Sequence, residues 1–295
     1  MRRYPFVTVD VFTNVRFGGN QLAVFPEAQG LSDSEMQSLA AEMNYSETSF
    51  VLPPDDPANT ARVRIFNRTA EMPFAGHPNV GTGFALASLG RAAGDLLRFE
   101  EVSGLVHVRV ARNGSGTATG AEIDAPQPFR SLGELPAPAI ARCIGISPQA
   151  VRTATHPPLR ASVGVEFVLV EVAADALTEA APDLAAFRDT AQTYLPGGGR
   201  LSVLLYARDG GRIRSRMFAP LAGTWEDPAT GSANATLAGL LLLQGDATKA
   251  AFEVSQGVEM GRPSTLRVRA WRTPGGVYAS VGGDCLSMLR GEAEI

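Results

Sequence analysis

Pro73-Phe74-Ala75-Gly76-His77-Pro78-Asn79-Val80-Gly81-Thr82-Gly83 is the stretch from which the fold can be read. It follows Ala61-Arg62-Val63-Arg64-Ile65-Phe66, an alternating run that reads as a strand. It leads into Phe84-Ala85-Leu86-Ala87-Ser88-Leu89-Gly90, which predicts a buried helix stopped by glycine. A small-residue turn opening a buried helix leaves backbone N–H groups at the helix start. Those donors and the helix dipole favour a carboxylate or another anion. His77 stands at that opening. Taken alone, the segment reads as a tight loop with an incidental histidine.

A second copy changes that reading. Arg62-Val63-Arg64-Ile65-Phe66 matches Arg214-Ser215-Arg216-Met217-Phe218, and Ala75-Gly76-His77-Pro78-Asn79 matches Thr230-Gly231-Ser232-Ala233-Asn234. Earlier in each half, Gly19-Asn20-Gln21-Leu22-Ala23-Val24-Phe25 stands opposite Gly164-Val165-Glu166-Phe167-Val168-Leu169-Val170. The order is the same both times, and the period is too long for a solenoid. The expected fold is α+β, with two similar domains related by a pseudo-twofold. Each would be a mainly antiparallel sheet or barrel wrapped around one apolar helix, 77–89 in the first and 231–243 in the second. The proline-rich crossing at 126–138 sets the boundary, giving domains 1–124 and 125–282, with the option that residues from about 283 to 295 return to the first. Both helix openings would then converge on an interdomain cleft, a favoured place for a ligand.

Other elements follow from local pattern. Ser32 with Asp33 and Glu35 caps a helix running to about 42. Strands are expected at 6–12, 21–25, 97–101, 105–111 and 118–124, near 151–154, and at 251–255, 264–271 and 277–282. Pro196-Gly197-Gly198-Gly199 should end a helix at 184–194, and Asp209-Gly210-Gly211 should turn a hairpin.

The totals exclude several function classes. The 295 residues are 45% hydrophobic and 19% charged, with a net charge of −4, so no basic surface for nucleic acid or for a membrane is expected. The single lysine, Lys249, lies in a polar connector, which removes a Walker loop and a pyridoxal Schiff base. Cys143 and Cys285 are far apart, and His77, His107 and His156 are scattered, with His107 on the outer face of a strand. No metal and no cofactor are expected. No signal-peptide core opens the chain and the apolar run 237–243 is too short to span a bilayer, so the expected location is the cytoplasm.

Four side chains carry chemistry. Glu47, in Tyr45-Ser46-Glu47-Thr48-Ser49 at the entry to an apolar strand, is either a buried carboxyl poised to move a proton or a solvated turn glutamate. Asp227 precedes the second helix and is either a functional carboxylate or a cap. His77 and Ser232 occupy matched positions at the two openings. Thr230-Gly231-Ser232-Ala233 is no Gly-x-Ser-x-Gly elbow, so Ser232 is not read as a nucleophile. Gly81-Thr82-Gly83 lacks the third glycine of a dinucleotide fingerprint and is given a packing role.

At these residues the sequence resembles the PhzF family of phenazine-biosynthesis-like isomerases. The motifs are Gly19-Asn20, Ser46-Glu47-Thr48, Ala75-Gly76-His77-Pro78 and the run from Glu226 to Ser232, in that order over most of the chain. The family is related in fold to diaminopimelate epimerase and proline racemase, which use a cysteine pair. By motif those positions are Ala75 and Thr230 here, so the two-cysteine mechanism does not apply. The resemblance implies a cofactor-independent isomerase acting on a small, cyclic or aromatic-like carboxylic or amino acid. It implies Glu47 as general acid and base, with His77 and Asp227 holding polar substituents and sharing in proton relay. It implies substrate binding by Asn20, Gly76, Thr230, Gly231 and Ser232, and a homodimer. The best-known member isomerises dihydro-hydroxyanthranilate. Gln21, in place of a frequent proline, and Trp225 depart from the family pattern and bear on substrate identity. The alternatives are a small-acid binding protein without turnover, and a hydrolase using Glu47 and Asp227 as paired acids.

Overall fold

The computed structural model describes residues 1–195, 199–209 and 211–295. The expected helix stop at 196–198 and the turn residue Gly210 lie outside these residues. The chain divides into two compact units, 1–124 with 281–295, and 125–280.

The first unit contains β1 (Arg3–Val11), β2 (Asn20–Phe25), α1 (Asp33–Met43), β3 (Glu47–Leu52), β4 (Ala61–Asn67), β5 (Glu71–Met72), α2 (Gly76–Ser88), β6 (Leu96–Glu101), β7 (Gly104–Arg112) and β8 (Ala118–Asp124). The last strand of the chain completes it: β17 (Gly276–Glu294), of which 281–294 belong here. Eight strands pair in the cycle β1, β2, β3, β4, β6, β7, β8, β17 and back to β1, which closes a barrel. A closed cycle leaves no edge among these eight strands.

α2 packs against β1, β2, β3, β7 and β8, so it is enclosed by the barrel. That is why it is apolar on every side, with residues 76–86 all buried. Its glycines make the fit. A Cβ on Gly81 would lie 2.6 Å from Leu22 Cδ2 and 2.7 Å from Val11 Cγ2, and one on Gly83 would lie 2.5 Å from Val108 Cγ1. Outside the barrel, α1 starts with a capping box: the Ser32 hydroxyl accepts the Glu35 N–H, and Glu35 accepts the Ser32 N–H.

The second unit contains β9 (Arg130–Glu134), α3 (Ala137–Cys143), β10 (Leu159–Ser162), β11 (Glu166–Glu171), α4 (Ala174–Glu179), α5 (Leu184–Tyr194), β12 (Val203–Asp209), β13 (Arg212–Ala219), β14 (Thr224–Asp227), α6 (Gly231–Leu243), β15 (Lys249–Gln256) and β16 (Ser264–Thr273). Its strands pair in the order β9, β10, β11, β12, β13, β15, β16. α6, almost wholly buried, packs against β10, β11, β15 and β16. The same devices recur in both units. β2 runs parallel to β3 as β11 does to β12, and β4 runs parallel to β6 as β13 does to β15.

The strand expected near 151–154 is reduced to one bridge, Val151 to Val172, after a 3-10 turn at Pro148–Ala150. Prolines 157 and 158 delay the ladder to β10. The proline-rich crossing itself holds β9, whose residues are all exposed. The strand expected at 277–282 continues to Glu294.

Candidate active site

The start of β3 and the start of α2 bring four of the expected residues together in the first unit. β2 and β3 run parallel with Leu22 opposite Glu47, so Asn20 and Glu47 leave the same end of the barrel. Ser46 Oγ donates to Asn20 Oδ1 at 2.9 Å. Asn20 Nδ2 lies 3.5 Å from His77 Nδ1, and the same ring nitrogen lies 3.5 Å from Glu47 Oε2. Gly76 and His77 are the first two residues of α2, and the Ala75 cap offers no side-chain acceptor to their N–H groups. Pro78 follows in the first turn, where a missing N–H breaks no helical bond.

Burial settles the charge of His77. His77 is 5% exposed, and desolvation pushes its pKa down to about 3. The imidazole is therefore neutral near pH 7, and its contact with Glu47 is polar rather than an ion pair. Glu47 keeps 19% of its side chain exposed and rests on the buried imidazole.

The second unit gathers the other expected residues around Gln256, at the end of β15. Thr230 Oγ1 donates to Asp227 Oδ2 at 2.5 Å, and the Thr230 N–H donates to Gln256 Oε1 at 3.1 Å. Gln256 Nε2 donates to the Asp227 carbonyl at 2.8 Å and to Thr230 Oγ1 at 3.1 Å. Asn234 Nδ2 donates to Gln256 Oε1 at 2.7 Å and to the Thr230 carbonyl at 3.0 Å. Thr230, Gly231 and Ser232 thus open α6 from a turn fixed on both sides, with Ser232 half-buried. The Asp227 carboxylate accepts from Thr230, the residue at the cap position of α6.

Glu226 and Asp227 have separate tasks. Glu226 forms a two-pronged pair with Arg216, at 2.8 and 2.9 Å, and Arg216 also donates to the carbonyls of Leu177, Thr178 and Ala180. The first unit repeats this: Arg64 holds Glu71 through two 2.7 Å bonds. Each arginine lies over a phenylalanine two residues on, Phe66 or Phe218. The match therefore extends to Glu71-Met72-Pro73 against Glu226-Asp227-Pro228, and Asp227 stands where the first copy has Met72.

Gln256, Asn79 and Asn234 were not assigned from sequence. The two asparagines lay inside the matched motifs, and Asn79 Nδ2 donates to the Ala75 carbonyl at 3.0 Å as Asn234 does to Thr230. Gln256 had no such signal, because its place is set by strand pairing with Ser215, 41 residues away in sequence. Among the described residues, no group of three histidine, cysteine or acidic side chains is placed to hold a metal ion, and no helix is long and apolar enough to cross a membrane.

The family described as phenazine biosynthesis-like protein matches residues 9–283. The chain belongs to that family. It is 36% identical to an uncharacterized isomerase of Mesorhizobium japonicum over 99% of each chain. It is 35% identical to the trans-2,3-dihydro-3-hydroxyanthranilate isomerase of Pseudomonas fluorescens over 90% of each. The crystal structure of a PhzF-family phenazine biosynthesis protein from Bacillus anthracis matches with a TM-score of 0.88 over 100% of both chains, at 23% identity. The fold is accordingly the one that PhzF-family and proline-racemase-like proteins share, and the chain is an isomerase.

Proposed function

We propose that this isomerase moves a proton between carbons of a small cyclic or aromatic-like carboxylic or amino acid, without a cofactor, and that Glu47 is its acid and base. The observation that carries the reading is the placement of a partly exposed Glu47 carboxylate 3.5 Å from a neutral, buried His77 at the uncapped start of α2. The base stands beside polar groups that do not compete with it for charge.

Glu47 takes a proton from a carbon adjacent to the conjugated acid. The C–H electron pair moves into the conjugated system as an enolate-like charge, which backbone N–H donors at the helix openings stabilise. Glu47, now protonated, returns the proton at another carbon, so the product is an isomer. Asn20, Gly76 and His77 hold the substrate from the first unit. In the second unit the resemblance assigns substrate binding to Thr230, Gly231 and Ser232 and a polar or relay role to Asp227, which Thr230 and Gln256 keep in register. The compartment proposed is the cytoplasm, and the assembly a homodimer.

The first substrate to try is trans-2,3-dihydro-3-hydroxyanthranilate, on which the Pseudomonas relative acts by name. A panel of cyclic conjugated acids follows. In D₂O the expected result is deuterium at one activated carbon, abolished by Glu47→Gln. Exchange that survives Glu47→Gln assigns the base elsewhere. Binding without exchange across the panel, or cleavage with uptake of solvent oxygen, overturns the isomerisation.

A further inference from the structure

Glu101 ends β6, and its place in the fold is matched by Gln256 at the end of β15. In the first unit Arg62 stands opposite Glu100; in the second, Arg214 stands opposite Ser255 and Ser215 opposite Gln256. Arg62-Val63 corresponds to Arg214-Ser215, so Glu101 corresponds to Gln256. Each lies beside the first-turn asparagine of its helix, Asn79 or Asn234. The Ser103 N–H donates to the Pro73 carbonyl at 3.1 Å, which keeps the end of β6 against the loop that opens α2.

Gln256 uses both edges of its amide. One accepts from Asn234 and Thr230, and the other donates to the turn at 227–230. A carboxylate ion only accepts, whereas a carboxylic acid also donates. Only protonated Glu101 can do what Gln256 does. No hydrogen bond of ordinary geometry reaches either buried Glu101 oxygen or Asn79 Oδ1, although Asn79 stands close enough to act on the carboxyl. Burial pushes the Glu101 carboxyl up to about 8, with Asn79 opposing.

The surrounding charged groups are engaged elsewhere. Glu100 accepts from Asp55, Asp56 and Asn59, and Arg62 pairs with Asp55. Glu71 is held by Arg64, and His77 is neutral. On β7 the nearest titratable residue, His107, stands opposite Arg98. Keeping a carboxyl where glutamine would serve destabilises the unit at neutral pH, which points to a task at the α2 opening rather than to packing.

We propose that Glu101 is a positioning residue for the α2 opening. As a neutral acid it is placed to donate to Asn79, whose amide holds the Ala75 carbonyl at the cap. Its ionisation sets a negative charge beside the donors that receive an acid substrate. The second clause rests on the anion-binding role given above to Gly76 and His77; the titration of the carboxyl does not depend on it.

The experiment is carbon NMR of the full chain labelled at glutamate carboxyls, with Glu101→Gln to assign the signal, alongside benzoate binding from pH 6 to 9. The expected Glu101 carboxyl stays protonated well above the ordinary carboxylate range. Benzoate affinity should fall about tenfold per pH unit above the midpoint in the wild type and stay level in Glu101→Gln. A Glu101 signal titrating in the ordinary range overturns the proposal, whatever the enzyme turns over. A protonated Glu101 with an unchanged alkaline loss of affinity in Glu101→Gln overturns its role at the opening. If that variant does not fold, Glu101→Asp supplies the assignment and the wild-type titration decides.

Discussion

His77 and Glu101 should pull the stability of the first unit in opposite directions between pH 5 and 7. His77 is neutral when folded, with a pKa near 3 against an ordinary 6.5. Protons added in this window bind the unfolded chain, so stability present above about pH 6.5 is lost as the pH falls. From pH 7 to 5 the linkage relation gives a loss of about 2 kcal/mol. Glu101 has the reverse sign: its folded pKa is about 8 against 4.5, so the folded chain keeps a proton that the unfolded chain releases. The same fall in pH relieves about 2.5 kcal/mol of destabilisation. Asp33, Glu35, Glu100 and Glu171 are held below their ordinary values by hydrogen bonds and arginines, so their contributions change only below this window. The wild type should therefore look almost indifferent to pH. His77→Gln should gain stability on acidification by about 2.5 kcal/mol, and Glu101→Gln should lose about 2 kcal/mol. Urea denaturation at the two pH values, at fixed ionic strength, measures this. Each protein is compared with itself, so the packing change of the substitution cancels. A His77→Gln profile as flat as the wild type refutes the reasoning, because the flatness would then not be a cancellation.

Two further outcomes follow from the scaffold. Arg216→Met should destabilise the second unit by about 3–5 kcal/mol, since it leaves the buried Glu226 carboxylate and three backbone carbonyls without their donor; chemical denaturation reads this, and a loss under about 1 kcal/mol contradicts a buried pair. Gly83→Ala should cost about 1–3 kcal/mol through the clash with Val108, visible as a lower Tm, and Val108→Ala should recover part of it.

Much of the fold was legible because duplication made weak signals count twice. The enclosed helices followed from segments with no polar face, and the two halves from ordered matches such as Arg62-Val63-Arg64-Ile65-Phe66. The strand at 130–134 was hidden because every residue in it is exposed and prolines flank it, leaving no alternation to read. The site was half legible. Asn20 and Glu47 do each come within 3.5 Å of His77 Nδ1, but the protonation of His77 did not follow from local sequence. It depends on how deeply the barrel buries the ring. Gln256 and Glu101 were invisible for a related reason: both act at the end of a strand on a turn distant in sequence.

Within one chain, the two copies separate scaffold from chemistry. Where they agree, the shared parts hold a helix opening in place: arginine gripping glutamate and lying over phenylalanine, a glycine at the first helical position, asparagine bonded to the carbonyl at the cap. Where they differ around the openings, four changes alter hydrogen-bonding or proton-holding capacity. Met72 corresponds to Asp227, Ala75 to Thr230, His77 to Ser232, and Glu101 to Gln256. Packing alone does not require this pattern, since the glutamine arrangement at 256 satisfies its turn completely while no hydrogen bond of ordinary geometry reaches the glutamate oxygens at 101. The costlier copy is the one that contains Glu47 and His77. Stability has been given up on the side of the molecule where a proton is proposed to move, and it has been kept where the substrate's polar groups are proposed to be held.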